Sequence, residues 1–203
     1  MTPDELGSLL TTRLGEGSAA SVAYDVVTVD VPTDAWVTAL ETARDVAGCT
    51  YFDWLSAVDE LQDGFSVVCH LWSIEQRHHV QLRTRVPRDR PVVRTATGVF
   101  KGADWHERET HEMFGVIFDG HPNLVPLLLP DGFEGRPLRK DFVLASRVAR
   151  PWPGAKEPGE SDDGSAPSRR KTLPPGVPDA AWREAVPEPG SWGPEPAPQA
   201  DGA

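Results

Sequence analysis

The chain predicts an α+β fold: a mostly antiparallel sheet with helices packed on one face, followed by a long extended C-terminal tail. Three observations carry this. Two segments with helical periodicity flank the first candidate strand, three strand-like runs then follow one another closely, and residues 151–203 hold 12 of the 20 prolines and 7 of the 18 glycines of the 203-residue sequence. A stretch that rich in proline and glycine sustains neither a continuous helix nor an interior strand. Residues 1–150 are therefore expected to form the globule, and 151–203 a Pro/Gly-rich tail.

Residues 3–14 fit a short amphipathic helix, and 22–31 alternate as a first strand. Pro32 followed by Thr33 or Asp34 signals a helix start, Trp36, Val37, Leu40, Ala43 and Ala47 share one helical stripe, and Gly48 supplies the stop. Strands are expected at 51–58, 65–74 and 78–86. In the last, Val80, Leu82, Thr84 and Val86 point one way and His79, Gln81, Arg83 and Arg85 the other, which marks a sheet with one wet face. Asp63-Gly64 signals a hairpin turn. After Pro87 a helical turn is expected near 91–100, then a helix with Asp104 as N-cap running to about Met113. The block Gly115 to Leu124 reads as a short strand ending in a tight turn.

The formal net charge is -11, with acidic residues in excess both before and after Pro151. Phosphate-backbone binding relies on clustered Lys and Arg, so nucleic acid is excluded as a partner class despite the run Arg83, Arg85, Arg88, Arg90, Arg94. Cys49 and Cys69 stand singly, without the paired spacing of zinc or iron–sulfur ligation, and no cluster is expected on this chain. Asp4 and Glu5 lie where a signal peptide would be basic, and no run approaches a membrane span. A cytoplasmic protein is expected, reaching the membrane only through partners. Trp152, Trp182 and Trp192 in the tail fit anchors buried against another surface.

The densest ionisable stretch is Trp105-His106-Glu107-Arg108-Glu109-Thr110-His111-Glu112-Met113-Phe114. A zinc-protease helix needs two histidines four apart on one face. His106 and His111 are five apart, about 140° around the axis at 3.6 residues per turn. Glu109 and Glu112 could pair as acid and base. Against that, Trp105 and Met113 bracket an apolar stripe on which Arg108, Glu109 and Glu112 also fall. These charges are expected to be partly buried and paired, within the chain or across an interface. His121, before Pro122, reads as a hydrogen-bonding brace. A free-standing hydrolase using His106, Glu109 and His121 is the rival class.

Glu107-Arg108-Glu109, Met113-Phe114-Gly115, Gly120-His121-Pro122-Asn123-Leu124, Leu128-Leu129-Pro130, and Glu134-Gly135 with Pro137-Leu138-Arg139-Lys140-Asp141-Phe142 stand in the order and spacing of a known signature. Over these residues the chain resembles the 30 kDa (C) subunit family of respiratory complex I. His111 and Glu112 replace a common tyrosine and aspartate, Val125 and Pro126 replace two basic positions, and Arg136 stands where histidine is frequent.

The resemblance implies a cofactor-free structural subunit of the peripheral arm of a proton-pumping NADH:quinone oxidoreductase. NADH, FMN, iron–sulfur clusters and quinone would belong to the whole complex. The implied partners are the quinone-site (D) subunit and the cluster-bearing B and I subunits, at the cytoplasmic side of the cell membrane. Glu107, Arg108, Glu109, Glu112, His121, Pro122, Glu134, Arg136, Arg139, Lys140, Asp141 and the three tail tryptophans are expected as interface or brace residues. The alternative is the equivalent subunit of a membrane-bound hydrogenase or ferredoxin-linked complex.

Overall fold

A computed structural model describes residues 1–142. Trp152, Trp182, Trp192 and the expected tail lie outside the described residues. The chain divides into two units, Met1–Leu129 with Gly135–Val143, and Pro130–Glu134 with Leu144–Ala203. Of the second unit the described part is a turn in which the Phe133 amide donates to the Pro130 carbonyl at 3.1 Å.

In the first unit, α1 (Pro3–Leu14) begins in a capping box. The Glu5 amide donates to Thr2 Oγ1, the Thr2 amide donates to Glu5 Oε2 at 2.8 Å, and Pro3 occupies the first helical position. β1 (Ala19–Ala23) and β2 (Val26–Asp30) follow as a hairpin rather than the single strand expected at 22–31. Its two turn residues, Tyr24 and Asp25, have φ of 52° and 63°. Two successive positive φ values match the twist of paired strands, a role that Asn-Gly would have announced and Tyr-Asp does not.

A single 3₁₀ turn at Thr33–Ala35 leads into α2 (Trp36–Asp45), which buries Trp36, Ala39, Leu40 and Ala43. β3 (Tyr51–Asp59), β4 (Phe65–Ser73) and β5 (His78–Val86) form an antiparallel meander close to the expected bounds. Gly64 turns β3 into β4 at φ 94°, where an added Cβ would sit 2.2 Å from the Val86 carbonyl oxygen, so only glycine fits.

The sheet order is β1-β2-β5-β4-β3, with β2 and β5 parallel and the other three pairs antiparallel. All three helices lie on one face. Gly7 of α1 lets the helix approach Ala20 and Val27, and the Phe114 ring of α3 meets Phe65 at 6.2 Å between centroids. Val27, Val29, Leu55, Phe65, Val67, Leu71, Val80 and Leu82 fill the core between. Each such apolar side chain contributes roughly 1.5–3 kcal/mol by leaving water.

Within the segment expected as a helical turn at 91–100, Val92–Arg94 form β6, paired in parallel with β7 (Ile117–Asp119), and the helical turn follows it, the Val99 and Phe100 amides both donating to the Ala96 carbonyl at 2.9 Å. α3 (Ala103–Phe114) lies between these two strands in the chain. Gly102, not Asp104, precedes the helix, and Asp104 makes no capping bond because its side chain turns to His121.

Candidate functional site

α3 carries the signature stretch, and its side chains divide by depth. Glu107 is completely buried. Its Oε1 accepts the Ala96 amide at 2.6 Å and its Oε2 the Thr95 hydroxyl at 2.5 Å, tying α3 to the segment after β6. Burial pushes its carboxyl up to about 7, against the opposing pull of these two donors. His121 Nε2 lies 3.9 Å from the same oxygen and 3.3 Å from Asp104 Oδ1. The Asn123 amide donates to His121 Nδ1 at 3.0 Å, which places the proton of the neutral ring on Nε2, facing Asp104.

One turn further on, Glu112 is buried and accepts three successive backbone amides. Leu127 and Leu128 donate to Oε2 at 3.2 and 2.8 Å, and Leu129 donates to Oε1 at 2.9 Å. Arg108 anchors the preceding stretch, donating from Nε to the Val125 carbonyl at 3.0 Å and from Nη2 to that of Pro126 at 2.9 Å. Main-chain carbonyls accept here, so the contact does not depend on the side chains at 125 and 126.

The last turn of α3 would leave its carbonyls unpaired. The second half of the signature closes them. Gly115, in the left-handed region at φ 80°, donates to the His111 carbonyl. Arg136 Nη1 donates to the Glu112 carbonyl at 3.0 Å, the Leu138 amide to Met113 at 3.3 Å, and Arg139 Nε to Phe114 at 2.5 Å. Two guanidinium groups at a helix C-terminus also meet the negative end of its dipole. Burial lowers the Arg139 pKa, with Arg88 nearby acting the same way.

Asp59 at the end of β3 completes the brace. It accepts Arg88 Nη1 at 2.6 Å, the Leu61 amide at 2.9 Å and the Lys140 amide at 2.8 Å. Burial raises its pKa, but the Lys140, Leu61 and Arg88 hydrogen bonds outweigh that and hold it below the usual carboxylate range. Arg88 spans to Asp141 Oδ2 at 2.7 Å.

His106 accepts the Leu55 amide at 3.4 Å and packs edge-on against Phe52, while His111 Nδ1 faces the Val116 carbonyl at 2.7 Å. Glu109 is exposed, contrary to the expected partial burial, because it projects from the solvent side of α3. The His106, Glu109 and His121 of the hydrolase reading therefore serve a strand edge, solvent and a buried brace respectively. Pro122, Glu134 and the Lys140 and Asp141 side chains are exposed. Among the described residues no three or more His, Cys, Asp or Glu side chains are grouped to hold a metal ion. Both cysteines are buried, and burial pushes the Cys49 thiol up to about 12.

A second constellation was not anticipated from the sequence. On the sheet face away from the helices, His70 Nδ1 lies 2.8 Å from Asp53 Oδ2 and His70 Nε2 lies 2.7 Å from His79 Nδ1. Trp54 stacks on His70 and Trp72 leans on His79. The strand register that assembles it, Trp54 opposite His70 and Trp72 opposite His79, is a long-range property.

Residues 29–148 match the family described as the respiratory-chain NADH dehydrogenase, 30 Kd subunit. The C subunit of the NADH-quinone oxidoreductase of Brucella abortus (strain 2308) is 37% identical over 149 residues, 71% of this chain and 73% of the relative. Its counterpart in Brucella ovis has the same identity and coverage.

Among solved structures, the trypsin-resistant fragment of Nqo5 is similar with a TM-score of 0.52 and 23% identity, covering 61% of this chain and all of the fragment. The membrane-bound sulfane sulfur reductase, an archaeal respiratory membrane complex, contains a chain similar at TM-score 0.54 and 25% identity, covering 63% of this chain and 77% of that one. Fold and signature thus define a subunit of a respiratory-chain dehydrogenase. The chain belongs to the 30 kDa subunit family of the respiratory-chain NADH dehydrogenase.

Proposed function

We propose that the chain is a cofactor-free structural subunit of the peripheral arm of an NADH:quinone oxidoreductase, which passes electrons from NADH to quinone and couples this to proton translocation. The observation that carries this reading is where the charges of α3 and of the 136–139 stretch end. Glu107, Arg108, Glu112, Arg136 and Arg139 all spend hydrogen bonds on main-chain atoms of the same chain. Groups held this way set the shape of a surface rather than converging on a substrate.

Exposed apolar side chains stand on this frame: Trp105 of α3 is 63% exposed, and Leu128 58% on the segment that Glu112 and Arg108 hold. Exposed apolar groups on a rigid frame suit a permanent protein contact. The neighbours proposed are the quinone-site (D) subunit and the cluster-bearing B and I subunits, which with the rest of the assembly hold the FMN, iron–sulfur clusters and quinone. The location proposed is the cytoplasmic side of the cell membrane, reached through partners. No described helix is long and apolar enough to cross a membrane.

The test replaces Trp105 and Leu128 by glutamate. The isolated variant should melt as the parent does and fail to enter the complex. A fully assembled complex carrying the variant, with or without a catalytic defect, would sink the docking role of this face. A second reading is the equivalent subunit of a membrane-bound hydrogenase or ferredoxin-linked assembly; its support is that another respiratory membrane complex, the sulfane sulfur reductase, contains a similar chain. Bound nickel in the purified complex selects a hydrogenase.

A further inference from the structure

The two edges of the five-stranded sheet are treated differently. At the β3 edge the register shifts between Phe52 and Trp54, and His106 accepts the outward Leu55 amide, so that edge is bent and partly occupied. The β1 edge has neither device. Its five residues, Ala19-Ala20-Ser21-Val22-Ala23, are all exposed and carry no charge and no proline. β2 takes one side of its backbone, and no described residue hydrogen-bonds to the other.

A groove runs beside this edge, lined by Asp4, Ser8, Thr11, Ser18, Ala19 and Val22. It exists because Gly7 brings α1 close to Ala20. Within it the Ser18 hydroxyl is shielded from solvent and has no hydrogen-bond partner among the described residues. An unpaired buried hydroxyl is destabilising, and a backbone group arriving along the edge would supply its partner. Side chains of β1 are small on both faces. Ala19, Ser21 and Ala23 stand opposite Asp30, Thr28 and Val26, while Ala20 and Val22 face the helices. Among the described residues, no bulky β1 side chain keeps a second backbone away.

We propose that β1 is a strand-addition site: an extended segment of a neighbouring subunit pairs with it as a sixth strand. The occupant is defined by chemistry as an extended polypeptide with free backbone donors and acceptors. It is uncharged where it crosses β1 and carries a basic residue toward Asp4. Main-chain hydrogen bonds supply the affinity in such additions, and the groove supplies the selectivity. This rests on the reading of the chain as part of a larger complex.

Backbone hydrogen exchange of the full chain, alone and within the purified complex, tests it. The amides of 19–23 that point away from β2 should exchange at least ~10-fold more slowly in the complex. Ser21→Lys, which places a solvated charge on an exposed edge position, should leave the melting of the isolated chain unchanged and lower its incorporation. Ser18→Ala should keep or raise the stability of the isolated chain and weaken incorporation. A complex in which these amides exchange as fast as in the isolated chain, or one that accepts Ser21→Lys at the parental yield, overturns the proposal while leaving the subunit assignment standing. Failure of the parental chain to enter any complex overturns that assignment and this proposal with it.

Discussion

Arg139 reaches back across 25 residues to donate to the carbonyl oxygen of Phe114, and its guanidinium sits 5.1 Å from the centre of the Phe65 ring. One side chain thus joins the end of α3, the start of β4 and the 136–142 segment.

Replacing Arg139 by alanine should cost about 1.5–3 kcal/mol, the usual worth of a hydrogen bond to a charged group. Lysine should rescue little, because a point charge cannot reproduce the planar fork. Lys140→Ala should change stability by less than about 0.5 kcal/mol, since among the described residues only its main-chain amide is engaged. Urea unfolding of the three variants separates them. Equal losses for Arg139→Ala and Lys140→Ala would contradict the capping role.

Gly115 should not tolerate alanine. Its φ of 80° already disfavours a side chain, and an added Cβ would sit 2.6 Å from Arg139 Nη2. The expected cost is about 1–3 kcal/mol from backbone strain alone, and the Arg139 bond would shift as well. In the Arg139→Ala background the penalty should shrink, which a double-mutant cycle would show.

Asp59→Asn should destabilise by about 3 kcal/mol, because it strips the charge from a buried group on which Arg88 and two amides converge. Its pKa is lowered in the fold, so its contribution is present above the unfolded value and fades as pH falls through the folded one. Asp141→Ala, at the exposed end of the same arginine, should cost less than about 1 kcal/mol. Similar losses at both positions would refute this ranking.

Glu107 and His79 should give stability opposite dependences on pH. The Glu107 carboxyl is raised by burial, so its contribution is complete below the unfolded value and is lost as pH rises through about 7. Compared with Glu107→Gln, the parent should lose on the order of 3 kcal/mol across that window. The His79 pKa is lowered, by burial first and then by the charge of His70. Its effect is a loss of stability as pH falls below the unfolded imidazole value. In His70→Gln the His79 resonance should titrate at higher pH. An unchanged midpoint would mean that the 2.7 Å contact does not couple the two rings.

Much of this architecture was legible in the sequence where local pattern decides it. The α2 stripe, the β3–β5 meander and the wet face of β5 all follow from spacing. The β1–β2 hairpin was not, because Tyr24 and Asp25 adopt positive φ without the residues that usually signal it. The short strand at β7 was read, but β6 was passed over in favour of the helical turn that follows it, because it is three residues long and its partner lies beyond α3. At the site, the signature named Glu107 and Arg139, and the neighbouring departures from it Glu112 and Arg136, but not their partners. Those partners are mostly main-chain atoms, such as the amides of 127–129, which no residue type announces. Asp59 and Arg88 were missed for the related reason that their partners come from distant segments, the Lys140 amide and Asp141.

Glu112 has a consequence for how force enters the domain. Its carboxylate grips the amides of Leu127, Leu128 and Leu129, and its own carbonyl receives Arg136, so one residue secures both stretches. Tension on 127–129 loads α3 first, tension on 136–140 is shared with Met113, Phe114 and Asp59, and the helix serves as the mooring post of both stretches.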